Sequence, residues 1–104
     1  MPERTARRKS KASDPFDEAV GRRLRLVRTA LGLTQREFAG SAAVATNTYG
    51  QWETGARALS PAQAIELCDT HNLTLDWIYR GDPGNLPYKL ATALKALSDL
   101  KSSP

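Results

Sequence analysis

Helix start and stop signals follow one another at short intervals along this chain, and they leave room only for a series of short helices. Gly32, Gly55 and Gly81 each follow an apolar run with helical spacing, where a glycine supplies the left-handed residue that ends a helix. Thr34, Ser60 and Thr74 each precede such a run, where a hydroxyl side chain caps the first free amides. Two of these starts carry more. "TQRE" is a capping box, with Glu37 reaching back to the Thr34 amide, and "SPAQ" places Pro61 at the first helical position with Gln63 completing a second box. No period-two alternation longer than a few residues interrupts this pattern, so the fold class is all-α.

The spacing predicts helix one from Phe16 to Leu31, with Phe16, Val20, Leu24, Val27 and Leu31 on one stripe. Helix two starts after Thr34, turns Phe38, Ala39 and Ala42 inward, and ends by Ala42. Helix three runs from about Ala45 to Glu53, with Tyr49 and Trp52 facing inward. In helix four Ala64, Ile65, Leu67 and Cys68 supply the core side before His71 or Asn72 ends it. "LTLDWIYRG" forms helix five, with Asp76 favourably placed in its first turn. After the turn-rich "GDPGNLP", Leu90, Ala93, Leu94, Leu97 and Leu100 share the stripe of a last amphipathic helix.

This divides the 104 residues into a polar, aperiodic and disordered basic arm at 1–14, a helical domain at 15–82 and a C-terminal segment at 83–104. The single cysteine, Cys68, excludes an intramolecular disulfide, reads as a small buried hydrophobe and points to a reducing compartment. The basic start is not followed by an apolar run, so neither a secretory signal nor a membrane span is expected, and the expected location is cytoplasmic. The single histidine, His71, lacks partners at ligand spacing, and no metal or cofactor is expected. No acid pair, nucleophile–base set or phosphate loop appears, so an enzyme is not expected, and there is no room for a self-cleaving peptidase domain.

Charge is uneven along the chain. Arg4, Arg7, Arg8, Lys9 and Lys11 stand against Glu3 alone in the arm, and six arginines stand against Glu37 and Glu53 in residues 21–60. Residues 61–104 are slightly acidic. That asymmetry suits a polyanion lying on one side of a small domain. The arm fits either a phosphate backbone or minor groove, or a plain solubilising tail.

The middle of helix three is Thr46, Asn47, Thr48, Gly50 and Gln51, a poor choice for helix stability, since a glycine alone costs about 1 kcal/mol against alanine. Helices two and three, joined by about three residues, have helix-turn-helix geometry, in which the second helix enters the major groove. Thr46, Asn47, Gly50 and Gln51 share the flank opposite Tyr49 and Trp52. Asn and Gln can donate and accept at an adenine edge, Thr offers a hydroxyl and a methyl, and Gly50 lets the backbone approach the bases. The competing reading is a polar face in water. Arg36, in the first turn of helix two, and Arg57, in the following loop, are the phosphate candidates, whereas Arg22, Arg23 and Arg25 read as solvated charges.

"LGLTQREFA", "VATNTYGQWETG" and "LDWIYRGD" together resemble the Cro- and phage-repressor-like helix-turn-helix family, also called the xenobiotic response element (XRE) family. The resemblance implies a five-helix, lambda-repressor-like domain over about residues 16–82, here with an extra C-terminal helix, that binds operator DNA as a dimer. It implies that Gln35 contacts a phosphate and braces the recognition helix, and that Thr46, Asn47 and Gln51 read bases with Gly50 facing outward. It further implies that Thr34 and Thr54 lie near the phosphate backbone, and that Arg28 and Glu53 form an internal ion pair. The sequence departs from the family pattern where Ala43 replaces the turn glycine and Ala45 the serine cap of helix three, which shifts capping to Thr46. Only Arg57 stands in a loop where relatives carry two or three basic residues.

The expected function is a dimeric, sequence-specific transcriptional repressor on a pseudopalindromic double-stranded operator. Its dimer contacts would come from Trp77, Ile78 and Tyr79 of helix five and from Leu90, Leu94 and Leu97 of the last helix, unless that helix covers the monomer's own core. The alternative is an antitoxin that binds its own promoter and blocks a toxin protein, with the last helix as the partner-binding element.

Overall fold

A computed structural model of the chain describes residues 14–102, with the side chains of 101 and 102 left aside. The basic residues Arg4, Arg7, Arg8, Lys9 and Lys11 lie outside the described residues. Among the described residues six helices follow in order: α1 (Pro15–Leu31), α2 (Gln35–Ser41), α3 (Thr46–Thr54), α4 (Pro61–His71), α5 (Leu75–Arg80) and α6 (Tyr88–Ser102). There is no strand among the described residues, and no helix among them is long and apolar enough to cross a membrane. α3 lies across α1 and against α2, while α4 to α6 close the remaining sides.

Local signals account for the helix ends. Asp14, assigned to the arm from sequence, instead caps α1, its carboxylate accepting the Phe16 amide at 2.7 Å, and Pro15 takes the first helical position. The Thr34–Glu37 capping box forms as read. At α4 the Ser60 hydroxyl accepts the Gln63 amide, but the Gln63 side chain pairs with that hydroxyl rather than with the Ser60 amide, so the second box is incomplete. Thr74 caps α5 through the Trp77 amide.

The turn between α2 and α3 is held by two backbone bonds, Ala43 N–H to Gly40 O and Val44 N–H to Ala39 O, the paired pattern of a Schellman stop. That motif needs a left-handed residue, and Ala43 adopts it at φ 57°. The other left-handed helix stops are glycines, which have no Cβ to clash, or Asn72, whose short polar side chain tolerates the conformation. Ala43 therefore carries a strain of about 1 kcal/mol that a glycine would avoid. Helix three does begin at Thr46, but Ala45 occupies its cap position without a side-chain bond, so Thr46 does not take over capping as expected.

The core is built from Val20, Leu24, Val27, Phe38, Tyr49, Trp52, Leu67 and Ile78, together with Leu59, Leu73, Trp77, Leu86, Leu94 and three alanines, Ala39, Ala42 and Ala64. Phe38 meets the Tyr49 ring edge-on at 5.4 Å, and Tyr49 meets Trp52 at 5.9 Å, so aromatic contacts tie α2 to α3. His71 stacks on Phe38 at 4.8 Å and bonds Ser41 Oγ at 2.9 Å. Since the Ser41 hydroxyl already donates to the Phe38 carbonyl, the imidazole Nε2 must be the donor, and a neutral His71 joins α4 to α2. Burial pushes its pKa below the usual range, which keeps the ring neutral.

Some apolar stripes extend beyond the core. Phe16 is 52 % exposed and stacks on Tyr79, Leu31 lies at the exposed end of its helix, and Ile65 is 47 % exposed because no element covers that side of α4. Cys68 is half-buried rather than fully enclosed. Conversely, Trp77, Ile78 and Leu94 are buried within the chain, together with Leu86 of the segment before α6. α6 packs on α1, so these three residues serve the monomer's own core and offer no surface to a second copy.

Gly21 permits the closest helix contact. A Cβ there would collide with the backbone oxygens of Trp52 and Glu53 at the end of α3. Gly21→Ala should therefore lower unfolding stability by about 3 kcal/mol despite its better helix propensity. Ala43→Gly should raise stability by about 1 kcal/mol. Urea melts of both variants check the pair; an Ala43→Gly protein less stable than wild type would contradict the strained turn.

Candidate nucleic-acid interface

The nine residues of α3 divide cleanly by environment. Tyr49 and Trp52 are buried, while Thr46, Asn47 and Thr54 are exposed and Gly50 and Gln51 half-exposed. A side chain at Gly50 would meet nothing closer than Gln35 Oε1 at 4.0 Å, so the fold itself places no steric demand for glycine there. α3 thus has weak propensity and no side-chain cap, and it is stable because its other flank is anchored.

The anchor is a carboxylate. Glu53 accepts Arg28 Nε at 2.6 Å and Nη2 at 3.4 Å from α1, Gln35 Nε2 at 3.0 Å from α2, and the Tyr49 hydroxyl at 2.5 Å from α3 itself. The side chains of Glu53 and Arg28 are only 6 % and 17 % exposed. Arg28 also bonds the Leu33 carbonyl at 3.0 Å, just before the capping box. The ion pair expected between helices one and three is present. Burial alone pushes the Glu53 carboxyl up, but the bonds from Arg28, Tyr49 and Gln35 and the arginine charge outweigh it, and the net shift is downward. Burial and the adjacent carboxylate push the Tyr49 hydroxyl up, so it stays protonated as a donor.

Gln35 braces α3 as expected. Because the carboxylate only accepts, the amide nitrogen of Gln35 must face Glu53, which turns Oε1 toward Gly50. Thr34 and Thr54 are exposed, but both hydroxyls are committed locally. Thr34 Oγ1 accepts the Glu37 amide and donates to Glu37 Oε1, while Thr54 Oγ1 donates to the Gln51 carbonyl and accepts the Ala56 amide. Arg36 is exposed beside Gln35. Arg57 folds back onto Gln51, with Nε 3.0 Å from Gln51 Oε1 and its amide 3.1 Å from the Gln51 carbonyl. Sequence reading placed Arg57 near a phosphate but missed this clamp.

A family model described as a helix-turn-helix domain matches residues 19–77, more than half of the chain and spanning α2, the strained turn and α3. The chain belongs to the helix-turn-helix domain family. No curated protein and no solved structure matches the chain. Membership of the helix-turn-helix family makes this a DNA-binding protein of regulatory type, in a family that is typically non-enzymatic. Among the described residues no cluster of histidine, cysteine or carboxylate side chains is arranged to hold a metal ion.

Glu53→Ala should cost about 3 kcal/mol at neutral pH, since it leaves the guanidinium of Arg28 without its partner in a largely enclosed position. The depressed carboxyl pKa adds a sign. Its contribution is complete above the ordinary value of 4.5 and is lost as pH falls through the lower folded-state value. The stability gap between wild type and Glu53→Gln should therefore narrow on acidification, as followed by chemical denaturation from pH 7 to pH about 3. A gap that widens would show that the carboxylate is not held in its charged form.

Proposed function

We propose that the chain is a sequence-specific regulator of transcription, most simply a dimeric repressor that inserts α3 into the major groove of its operator. Thr46, Asn47, Gly50 and Gln51 face the base edges. Arg36 and Arg57 approach phosphates, joined by Gln35 through the second N–H of the amide nitrogen that bonds Glu53, with Thr34 and Thr54 flanking them, their hydroxyls already bonded locally. The single observation that carries the reading is the two-sided character of α3: one flank is locked into the core, and the other displays amide and hydroxyl groups around a glycine that the fold does not require. Such groups match the donor and acceptor pattern of base pairs, and a missing side chain shortens the approach.

A dimer would set two recognition helices about 34 Å apart on a pseudopalindrome. With Trp77, Ile78 and Leu94 inside the core, the larger apolar side chains that α5 and α6 leave for a second copy are half-buried Tyr79, Leu90 and Leu97 and exposed Leu75, Tyr88 and Leu100. Pairing through α6 would leave both α3 helices accessible, since the principal partner of α6 is α1.

Selection of binding sites from random duplex DNA tests this reading. Asn47→Ala should flatten the preference at one base pair, at a cost of about 1–3 kcal/mol there. Gly50→Ala should give opposite signs in two assays, raising the unfolding stability by about 1 kcal/mol while weakening DNA binding. Equal affinity of wild type and both variants for every duplex would sink the assignment of this flank to base reading.

A further inference from the structure

The loop after α3 is built to return to it. Gly55 takes a left-handed conformation at φ 84° and reverses the chain, so that Arg57 reaches residue 51, a full turn and more upstream. Two bonds fasten it there: the Arg57 amide to the Gln51 carbonyl at 3.1 Å, and Arg57 Nε to Gln51 Oε1 at 3.0 Å. The second bond has a chemical consequence. A guanidinium can only donate, so the Gln51 atom that faces it must be the amide oxygen. The Gln51 amide cannot turn over without losing that bond, and with its oxygen held toward Arg57 it leads on the other side with the NH2 group, two donors.

We propose that Arg57 selects the base that Gln51 reads, by holding its amide in the donor-outward state. This rests on the proposal that α3 lies in the major groove. An unrestrained glutamine suits adenine, because it offers one acceptor to N6 and one donor to N7. A glutamine whose oxygen is held back by Arg57 and whose NH2 leads meets adenine donor to donor at N6. Guanine presents two acceptors, O6 and N7, side by side, and matches a pair of donors. The base pair that faces Gln51 is therefore guanine-containing, with guanine on the strand that α3 contacts. Arg57 acts as a positioning residue for specificity, in addition to any charge that it brings near a phosphate.

Binding-site selection with full-length wild type, Gln51→Ala and Arg57→Met separates the possibilities. Methionine keeps the aliphatic stem and removes the donor. The Gln51→Ala profile identifies the base pair that residue 51 reads. At that pair wild type should enrich guanine, and Arg57→Met should shift the preference toward adenine by about tenfold, with the other positions unchanged. Thermal melting of Arg57→Met should match wild type, because the side chain is exposed. If Arg57→Met weakens binding evenly and leaves every preference intact, Arg57 is a phosphate ligand only and the proposal fails, while α3 remains the reading helix. Wild-type enrichment of adenine at that pair overturns it equally. If Gln51→Ala alters no position, or wild type binds no duplex at low salt, the fault lies earlier, in the assignment of Gln51 or of DNA as the partner.

Discussion

The carboxylate of Glu53 is the joint on which this domain turns. It receives donors from three helices at once, and each donor has its own reason to be there. Arg28 lies two turns beyond Gly21 on α1, the residue whose bare backbone lets α1 reach the end of α3. Gln35 sits in the first turn of α2, fixed by the Thr34–Glu37 box. Tyr49 is one turn upstream in α3 and is held by Phe38. The angle between α2 and α3, which defines a helix-turn-helix unit, is therefore set by charged and polar bonds in a nearly enclosed place as well as by apolar packing. Such bonds are directional, whereas apolar contact is not.

α3 shows what that anchorage permits. A helix of nine residues without a side-chain cap, and with Thr, Asn and Gly in its first five positions, has little stability of its own. The approach to it is strained at Ala43. Tertiary contacts override each of these local weaknesses, and they do so from the inward side only. The outward side is left free of packing duties, a condition for composing it by what it touches outside the chain.

Much of this could be read from the residues alone because it is local. Caps at Thr34, Ser60 and Thr74 and stops at Gly32, Gly55 and Gly81 are decided within a few residues, and helical period marks the inward faces. What escaped the reading depends on distant partners. Gly21 looks like any exposed helix glycine until the end of α3 is brought against it. Periodicity marked Phe16 and Ile65 as apolar without saying that both stay about half exposed, and it marked Trp77, Ile78 and Leu94 without saying that this chain itself covers them. The Arg57–Gln51 clamp spans six residues across a chain reversal, and no spacing rule anticipates it. Local signals were also missed or misread: Asp14 was hidden by its position at the end of a charged stretch, Gln63 bonds the Ser60 hydroxyl rather than its amide, and Thr46 does not cap α3.

The separation of duties within α3 has an evolutionary corollary. Residues 49, 52 and 53 hold the helix, residues 46, 47, 50 and 51 face out, and the two sets do not overlap. A gene duplicate could exchange the outward set without disturbing the joint, so diversification would need no compensating change in the interior. Novelty would accumulate at four positions and in the loop that follows them, while the scaffold stayed legible as the same domain.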